Sequence, residues 1–504
     1  MIYSLLLVIT YFFLVKEIGN IIILKIAKIN NRTLWRKKVK MKLFNTLGRK
    51  ICDFIPLESN KVKMYACGPT VYKYVHIGNL RTFIFVDILN RALKLAGFDV
   101  TYAMNITDVG HLSDDADDGE DKMLKSAREK KMSVWEIAEF YTKAFFEDTA
   151  ALNIGTPDIV CKATEHIEDM IKLIQRIEKN GFTYSSGGNL YFDISKFPDY
   201  GKLAMLDLDE LKSGSRIEVD KNKKNPQDFV LWFTKSKFEH QTMLWDSPWG
   251  RGYPGWHIEC SAMSMKYLGD RFDIHCGGID LIPVHHTNEI AQSEAATGKK
   301  WVNYWVHGEF LLTTKGKMSK SLGNFHTLSS LIEKGYDALD YRYFCLGGHY
   351  RSQLQFSLES LDAARNARNN LMLRIAHLKK ETLDEETEQN VNDVVYYKDF
   401  IEYAGNDLNM PQCLSVLWNL LKDESLSPSL KLKVSLEMDK ILGLSLDKAH
   451  LDTEIDQAAI ALIEEREKAR GAKDYRRADE IRVKLLNKGI ILEDTPEGVR
   501  WRKT

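Results

Sequence analysis

The stretch KMYACGPTVYKYVHIGNLRTF, Lys63 to Phe83, decides how the rest of the chain is read. Val62 to Ala66 is an apolar run of strand length, and Gly68 and Pro69 mark a turn directly after Cys67. His76-Ile77-Gly78-Asn79 then opens an amphipathic run, RTFIFVDILNRALKLAGF, whose apolar spacing predicts a helix. Strand, turn and helix start follow one another, with a thiol at the strand end and an imidazole at the helix N-terminus. Unpaired backbone N–H groups and the helix dipole suit such a terminus to phosphate. A thiol beside a phosphate cradle points to a nucleotide-using enzyme with a metal or thiol site. On its own, though, a cysteine ending a buried strand is a small core residue.

The totals bound what surrounds this unit. At 504 residues the chain holds two to four domains, and 44% hydrophobic with 28% charged residues is the balance of a soluble globular protein. The formal net charge is zero, so contact with nucleic acid has to come from local patches. Seven cysteines, at 52, 67, 161, 260, 276, 345 and 413, are odd in number and form no CxxC. That pattern places the protein in a reducing, cytoplasmic compartment and argues against a disulfide framework.

Residues 1–40 differ from the rest. Ile2 to Val15 is apolar but is broken by Lys16 and Glu17, and the basic stretch LWRKKVKMK follows. A signal peptide lacks its leading charge and small-residue cleavage site here. A membrane anchor with its basic flank inside needs about 18 apolar residues, reached only by counting charged ones. The expectation is that MKLFNTLGRK, from Met41, begins the protein.

From Met41 to about Asn153 strand and helix patterns alternate, as in α/β folds. DVTYAMNITDVGH reads as a second strand, which puts Thr107 and Asp108 at a strand end where such sheets bind ligands. Asp114 to Asp121, DDADDGED, reads as a solvated loop without EF-hand spacing. Residues 154–245 read as an insertion, with a helix at HIEDMIKLIQRIEKNG and strands at NLYFDIS and DFVLWF. After Trp249 come PGWHIECSAM with Cys260, a strand FDIHCGGIDL, a helix HHTNEIAQSEAAT and a strand VNYWVHGEFLL. His285 and Glu289, four apart on that helix, share one face and form a plausible half of a metal site. Long helical patterns run from Leu328 to about Leu446, and a highly charged helical tail ends in LEDTPEGVRWRKT. No Walker A pattern occurs.

A second stretch, KGKMSKSLGNF from Lys315 to Phe325, completes a pair. HIGN and KMSKS together resemble the signatures of class I aminoacyl-tRNA synthetases. CGPTVY, GWHIECSAM and HHTNEIAQS narrow the resemblance to the cysteinyl-tRNA synthetase family, from Met41 to the C-terminus. The resemblance implies a Rossmann-type parallel-sheet catalytic domain in two halves (41–153 and 246–325) around a connective insertion (154–245). A stem-contact junction (326–385), a helical anticodon-binding bundle (386–450) and a tRNA-binding tail (451–504) would follow, an all-α region in this reading.

It also implies activation of cysteine by ATP with Mg2+, through cysteinyl adenylate, and transfer to tRNA(Cys). His76, Gly78, Asn79, Gly278 and Asp280 would hold ATP, with Lys317 and Lys320 closing on the pyrophosphate. Thr107 and Trp256 would line the cysteine pocket. One Zn2+ would sit on Cys67, Cys260, His285 and Glu289, where it selects a thiolate over serine's hydroxyl, because apolar pockets separate near-isosteres poorly. His286 could replace His285, and Cys276 and His275 are nearby alternatives. No editing domain and no protein partner are expected, and the protein is read as a monomer. Asn79 departs from the signature, which usually has histidine there; an amide donates to phosphate but carries no charge. Basic tail residues Arg476, Arg477, Arg500 and Arg502, with Trp501, are candidates for phosphate contact and base stacking, or for helix salt bridges. Rival readings are a ligase joining cysteine to an amino sugar, which would lack the helical C-terminal third, and a non-catalytic RNA-binding relative.

Overall fold

The computed structural model describes residues 40–110, 122–205, 221–235, 242–313, 316–317, 326–382, 387–451, 457–487, 490–495 and 498–503. The N-terminal extension up to residue 39, the acidic stretch Asp114 to Asp121 and the 318–325 segment with Lys320 lie outside them. Among the described residues no helix is long and apolar enough to cross a membrane.

An antiparallel pair, β1 (Lys42–Asn45) and β2 (Lys50–Asp53), precedes β3 (Lys61–Ala66). Helix α1 (Ile77–Leu95), β4 (Asp99–Ile106), α2 (Lys122–Lys130), α3 (Val134–Ala151), β5 (Ile159–Lys162) and α4 (Ile167–Lys179) follow. A smaller antiparallel sheet contains β6 (Thr183–Ser186), β7 (Asn189–Phe192), β8 (Phe229–Phe233) and β9 (Tyr253–Pro254). The main sheet resumes through α5 (Trp256–Leu268), β10 (Phe272–Gly278), α6 (Thr287–Thr297) and β11 (Val302–Gly308). Its order is β5-β4-β3-β10-β11, every pair parallel. Counted along the chain this is the doubly wound order 3-2-1-4-5, which reverses direction between β3 and β10. Ligands bind beyond the strand ends at such a reversal.

Both faces of the sheet are buried, as parallel strands require. Val62, Met64 and Ala66 of β3 face one core with Ile84 and Leu89 of α1, whereas Tyr65 faces the other with Ile258, Trp301 and Trp305. Helix α1 starts as the sequence reading expects. His76 is its N-cap: Asn79 N–H donates to His76 Nδ1 at 3.1 Å and His76 N–H donates to Asn79 Oδ1 at 3.3 Å.

Three features depart from the sequence reading. β5 and α4 were grouped with the insertion from residue 154, but β5 pairs with β4 as the sheet edge. A four-residue strand with only Cys161 buried carries no periodic signal, so pairing with β4 alone reveals it. The insertion's own sheet runs to β9, past residue 245. VNYWVHGEFLL is two strands, β11 and β12 (Leu311–Thr313), broken where the Arg81 guanidinium takes the carbonyls of Glu309 and Phe310 at 2.9 and 2.5 Å. β12 pairs antiparallel with β13 (Gly316–Lys317) and parallel with β14 (Leu354–Phe356).

The C-terminal third is helical: α7 (Leu328–Ile332), α8 (Ala338–Leu346), α9 (Leu358–Glu381), α10 (Val395–Gly405), α11 (Met410–Lys422) and α12 (Pro428–Leu442). The tail forms α13 (Gln457–Gly471) and α14 (Tyr475–Asn487). Helix stops there. Ile490–Thr495 and Gly498–Lys503 pair as an antiparallel hairpin, β15 and β16, so the region expected to be all-α ends in strands. The alternation in IILEDT and GVRWRK is short and charged, and strand pairing rather than local propensity makes it a hairpin. The tail has a separate small core of Ala459, Ile481, Leu485, Ile490 and Leu492.

Candidate active site

A cavity of about 440 Å³ opens at the β3/β10 reversal. Its walls carry Cys67, His76, Gly78, Asn79, Thr107, Trp256, Cys260, Gly278, Asp280 and His285, ten positions singled out from the sequence. They arrive from separate elements. Cys67 follows β3, His76, Gly78 and Asn79 open α1, Thr107 follows β4, Trp256 and Cys260 lie on α5, and Gly278 ends β10. Cys260 sits inside the helix and is buried.

At the mouth, the α1 N-terminus carries the positive end of the helix dipole; Ile77 N–H donates to the His326 carbonyl at 2.9 Å and Asn79 N–H to His76 Nδ1, and Gly78 lines the cavity. With its Oδ1 committed to His76 N–H, the Asn79 amide has only donors to offer an anion. Across from it, Gly277 and Gly278 allow a close approach. A Cβ on Gly277 would lie 2.8 Å from the His286 ring, and one on Gly278 would lie 2.3 Å from Asp280 Oδ1. Trp256, the first residue of α5, lines the cavity with its ring 4.4 Å from that of His285.

At the base, ligand atoms of Cys67, Cys260, His285 and Glu289 all lie within 4.8 Å of one another. Cys67 and Cys260 Sγ are 3.9 Å apart, close to the roughly 3.8 Å edge of a tetrahedron with Zn–S bonds of about 2.3 Å. Glu289 is fully buried, and its Oε2 has no hydrogen-bond partner. An orphaned buried carboxylate oxygen among two thiols and an imidazole fits a bound cation. Burial opposes ionisation of Cys260, but hydrogen bonds to Cys67 and His285 and the charge of His285 bring its thiol down to about 7. Burial likewise opposes charge on His285, which Glu289 and Cys260 outweigh, raising it to about 9. Burial pushes the Cys67 thiol well up.

A second, overlapping group joins Cys67 and Glu289 to His275 and His286, so two of the three sequence alternatives are within reach. The two sets differ in what surrounds them. His285 lines the cavity, and its Nδ1 meets His257 Nδ1 at 3.0 Å, which leaves Nε2 towards Glu289. His286 lies behind, 3.4 Å from Cys67 Sγ and bonded through Nδ1 to His307 Nε2 at 2.7 Å. Cys276 is core. The sequence reading missed His257 and His307 as supports, and only the HH pair hinted at an imidazole cluster.

Other expected residues fall elsewhere. The Lys317 backbone pairs with Leu312 across β12 and β13, while Lys320 lies outside the described residues. Asp108 accepts from Thr164 N–H and Oγ1, tying the end of β4 to the turn between β5 and α4, and does not line the cavity. Arg476 and Arg477 lie near Glu480, and Arg477 also holds Glu465, so the salt-bridge reading describes these two. Arg500, Trp501 and Arg502 are on β16. Cavity walls the sequence reading did not name include Lys73, Tyr74, Thr82 and Asn105.

Residues 53–366 match the family model described as tRNA synthetases class I (C) catalytic domain, and residues 452–502 match the cysteinyl-tRNA ligase anticodon binding domain. Cysteine–tRNA ligase of Treponema denticola is 57% identical over 491 residues, covering 92% of this chain and all of that protein. The enzyme of the same name from Borreliella burgdorferi is 47% identical over 480 residues, 92% of this chain and 99% of the relative. The fold also resembles Mycobacterium tuberculosis methionyl-tRNA synthetase in complex with methionyl-adenylate, with TM-score 0.55, 16% identity, and coverage of 77% and 93% of the two chains. The chain belongs to the cysteine–tRNA ligase family of class I aminoacyl-tRNA synthetases.

Proposed function

We propose that this protein joins cysteine to tRNA(Cys) in two steps, forming cysteinyl adenylate from ATP with Mg2+ and then passing the aminoacyl group to the tRNA 3′ end. The observation that carries the reading is one cavity with a helix N-terminus at its mouth and two thiols, an imidazole and a carboxylate at its base. The cysteine carboxylate attacks the α-phosphate of ATP, and pyrophosphate leaves. No protein nucleophile is needed, so catalysis is placement and charge stabilisation. The α1 N-terminus with His76 and Asn79 holds phosphate, the Gly277–Gly278 turn admits the adenosine, and Asp280 takes the ribose hydroxyls. Lys317 and Lys320 neutralise the departing pyrophosphate.

Cys67, Cys260, His285 and Glu289 are the residues that would hold zinc, and zinc bound there favours the substrate thiolate over serine's hydroxyl. The tail, with Arg500, Trp501 and Arg502 on its hairpin, meets the tRNA. The protein acts as a cytoplasmic monomer.

The test is charging of tRNA with labelled cysteine by purified protein. Cysteine-specific charged tRNA is the expected result. Cysteine-dependent pyrophosphate exchange without charging would keep the adenylate site but transfer cysteine to another acceptor, the amino-sugar reading.

A further inference from the structure

We propose that Asn105 and Glu259 are positioning residues that make the Thr107 hydroxyl a dedicated acceptor for the α-ammonium group of the amino acid. This rests on the cysteine-activating reading above. The direction of the relay follows from its first member. Gly68 N–H can only donate, and it lies 2.8 Å from Asn105 Oδ1. The Asn105 amide is therefore fixed, with Nδ2 donating to Thr107 Oγ1 at 3.0 Å. Thr107 in turn donates its single proton to Glu259 Oε2 at 3.0 Å. A hydroxyl has one proton and two lone pairs. Its proton and one lone pair are taken, so only an acceptor lone pair remains.

Thr107 and Asn105 both line the cavity that Cys67 and Cys260 share. Asn105, Thr107 and Glu259 are exposed by 1%, 2% and 0%, so the relay works in a low-dielectric setting where direction matters. An acceptor backed by a carboxylate repels a substrate carboxylate and attracts an N–H donor carrying positive charge. Of the groups on cysteine, only the α-ammonium fits. Gly68 is part of the device. A Cβ there would lie 1.7 Å from the Asn105 carbonyl oxygen, so only glycine brings the turn onto β4 closely enough.

The test compares Glu259→Met, Glu259→Gln, Thr107→Val and Thr107→Ser in the full chain, by cysteine-dependent pyrophosphate exchange. Two inhibitors separate the contacts: cysteamine has the thiol and the ammonium, and 3-mercaptopropionate has the thiol and the carboxylate. Without the carboxylate, the Thr107 proton in Glu259→Met turns towards the cavity and opposes an N–H donor. The expected result is a roughly tenfold or larger rise in KM for cysteine and Ki for cysteamine, with 3-mercaptopropionate within about twofold of the parent. Glu259→Gln keeps an oxygen acceptor but loses the charge, so its Ki for cysteamine is expected to rise by less than that of Glu259→Met. Equal weakening of both inhibitors would mean a structural role only and overturns the relay, as does unchanged cysteamine inhibition. Should Glu259→Met fail to fold, Thr107→Val carries the same expectation, with Thr107→Ser retaining cysteamine binding. Unchanged cysteamine inhibition in Thr107→Val also overturns it. A parent protein showing no cysteine-dependent exchange removes the cysteine reading, and the relay with it. A parent that exchanges normally while these variants stay unaffected removes the relay alone.

Discussion

Arg342 and Asp87, 255 residues apart in the chain, form a fully buried ion pair with Nη2 2.6 Å from Oδ2. The same guanidinium donates to the carbonyls of Leu442 and Leu152 at 2.7 and 3.0 Å. One side chain on α8 thus ties the end of α12 and the end of α3 to α1, the helix whose N-terminus forms the cavity mouth. Asp87 also accepts from Arg91 Nε at 2.7 Å and from Gly155 N–H at 2.9 Å. Asp87→Ala leaves the guanidinium buried without its counter-charge. The expected loss is about 3–5 kcal/mol, read as a lowered unfolding midpoint in urea. Adding Arg342→Met to that variant recovers part of the loss, because a packed apolar side chain replaces an unpaired charge.

Zinc content is expected to separate Cys260 from Cys276. Cys260 belongs to the donor group, whereas burial among apolar neighbours pushes the Cys276 thiol up and leaves it a core residue. Elemental analysis of purified protein is expected to find about one zinc per chain in the parent and in Cys276→Ser, with little in Cys260→Ser. Equal zinc in both variants would contradict the assignment.

The proposed function puts the KMSKS lysines on the departing pyrophosphate rather than on cysteine. Lys317→Ala and Lys320→Ala should each lower kcat of cysteine-dependent pyrophosphate exchange by about 10²–10³-fold, the cost of removing one preorganised charge donor. KM for cysteine should move by less than about threefold, since a role at the pyrophosphate leaves the binding of the cysteine thiol untouched. A large change in cysteine KM with normal kcat would count against this role.

Asp148 on α3 gives a pH-dependent stability away from the site. Burial, helped by the neighbouring Glu147, raises its carboxyl from 3.8 to about 6. A carboxyl whose folded value lies above its unfolded one favours folding only while protonated. Its contribution is complete below about pH 4 and is lost as pH rises through about 6. Asp148→Asn should therefore melt with the parent near pH 4 and higher than the parent at pH 7. Because the side chain keeps part of its water, the gain is about 1 kcal/mol rather than the ~2.7 of a fully buried two-unit shift. A higher melting temperature for the variant at pH 4 as well would show a different cause.

The amino-acid sequence by itself determined the local units of this protein and most of its chemistry-bearing residues. The β3–turn–α1 unit was legible because its determinants lie within a few residues of each other: an apolar run, Gly68-Pro69, and the His76/Asn79 cap. Ten of the residues singled out reach one cavity wall, because each is carried by a short motif whose order the sequence displays.

Only the tertiary structure decided what those residues share. It paired β5 with β4, although β5 has no periodicity of its own, and set β10 against β3, which creates the reversal where the cavity opens. It placed His257 behind His285 and His307 behind His286, and it gave Thr107 its two fixed partners, Asn105 and Glu259. Turn and cap preferences act over a few residues and are written in the chain. Strand order, buried ion pairs and hydrogen-bond direction depend on which distant groups packing brings within about 3 Å, where burial removes water as an alternative partner.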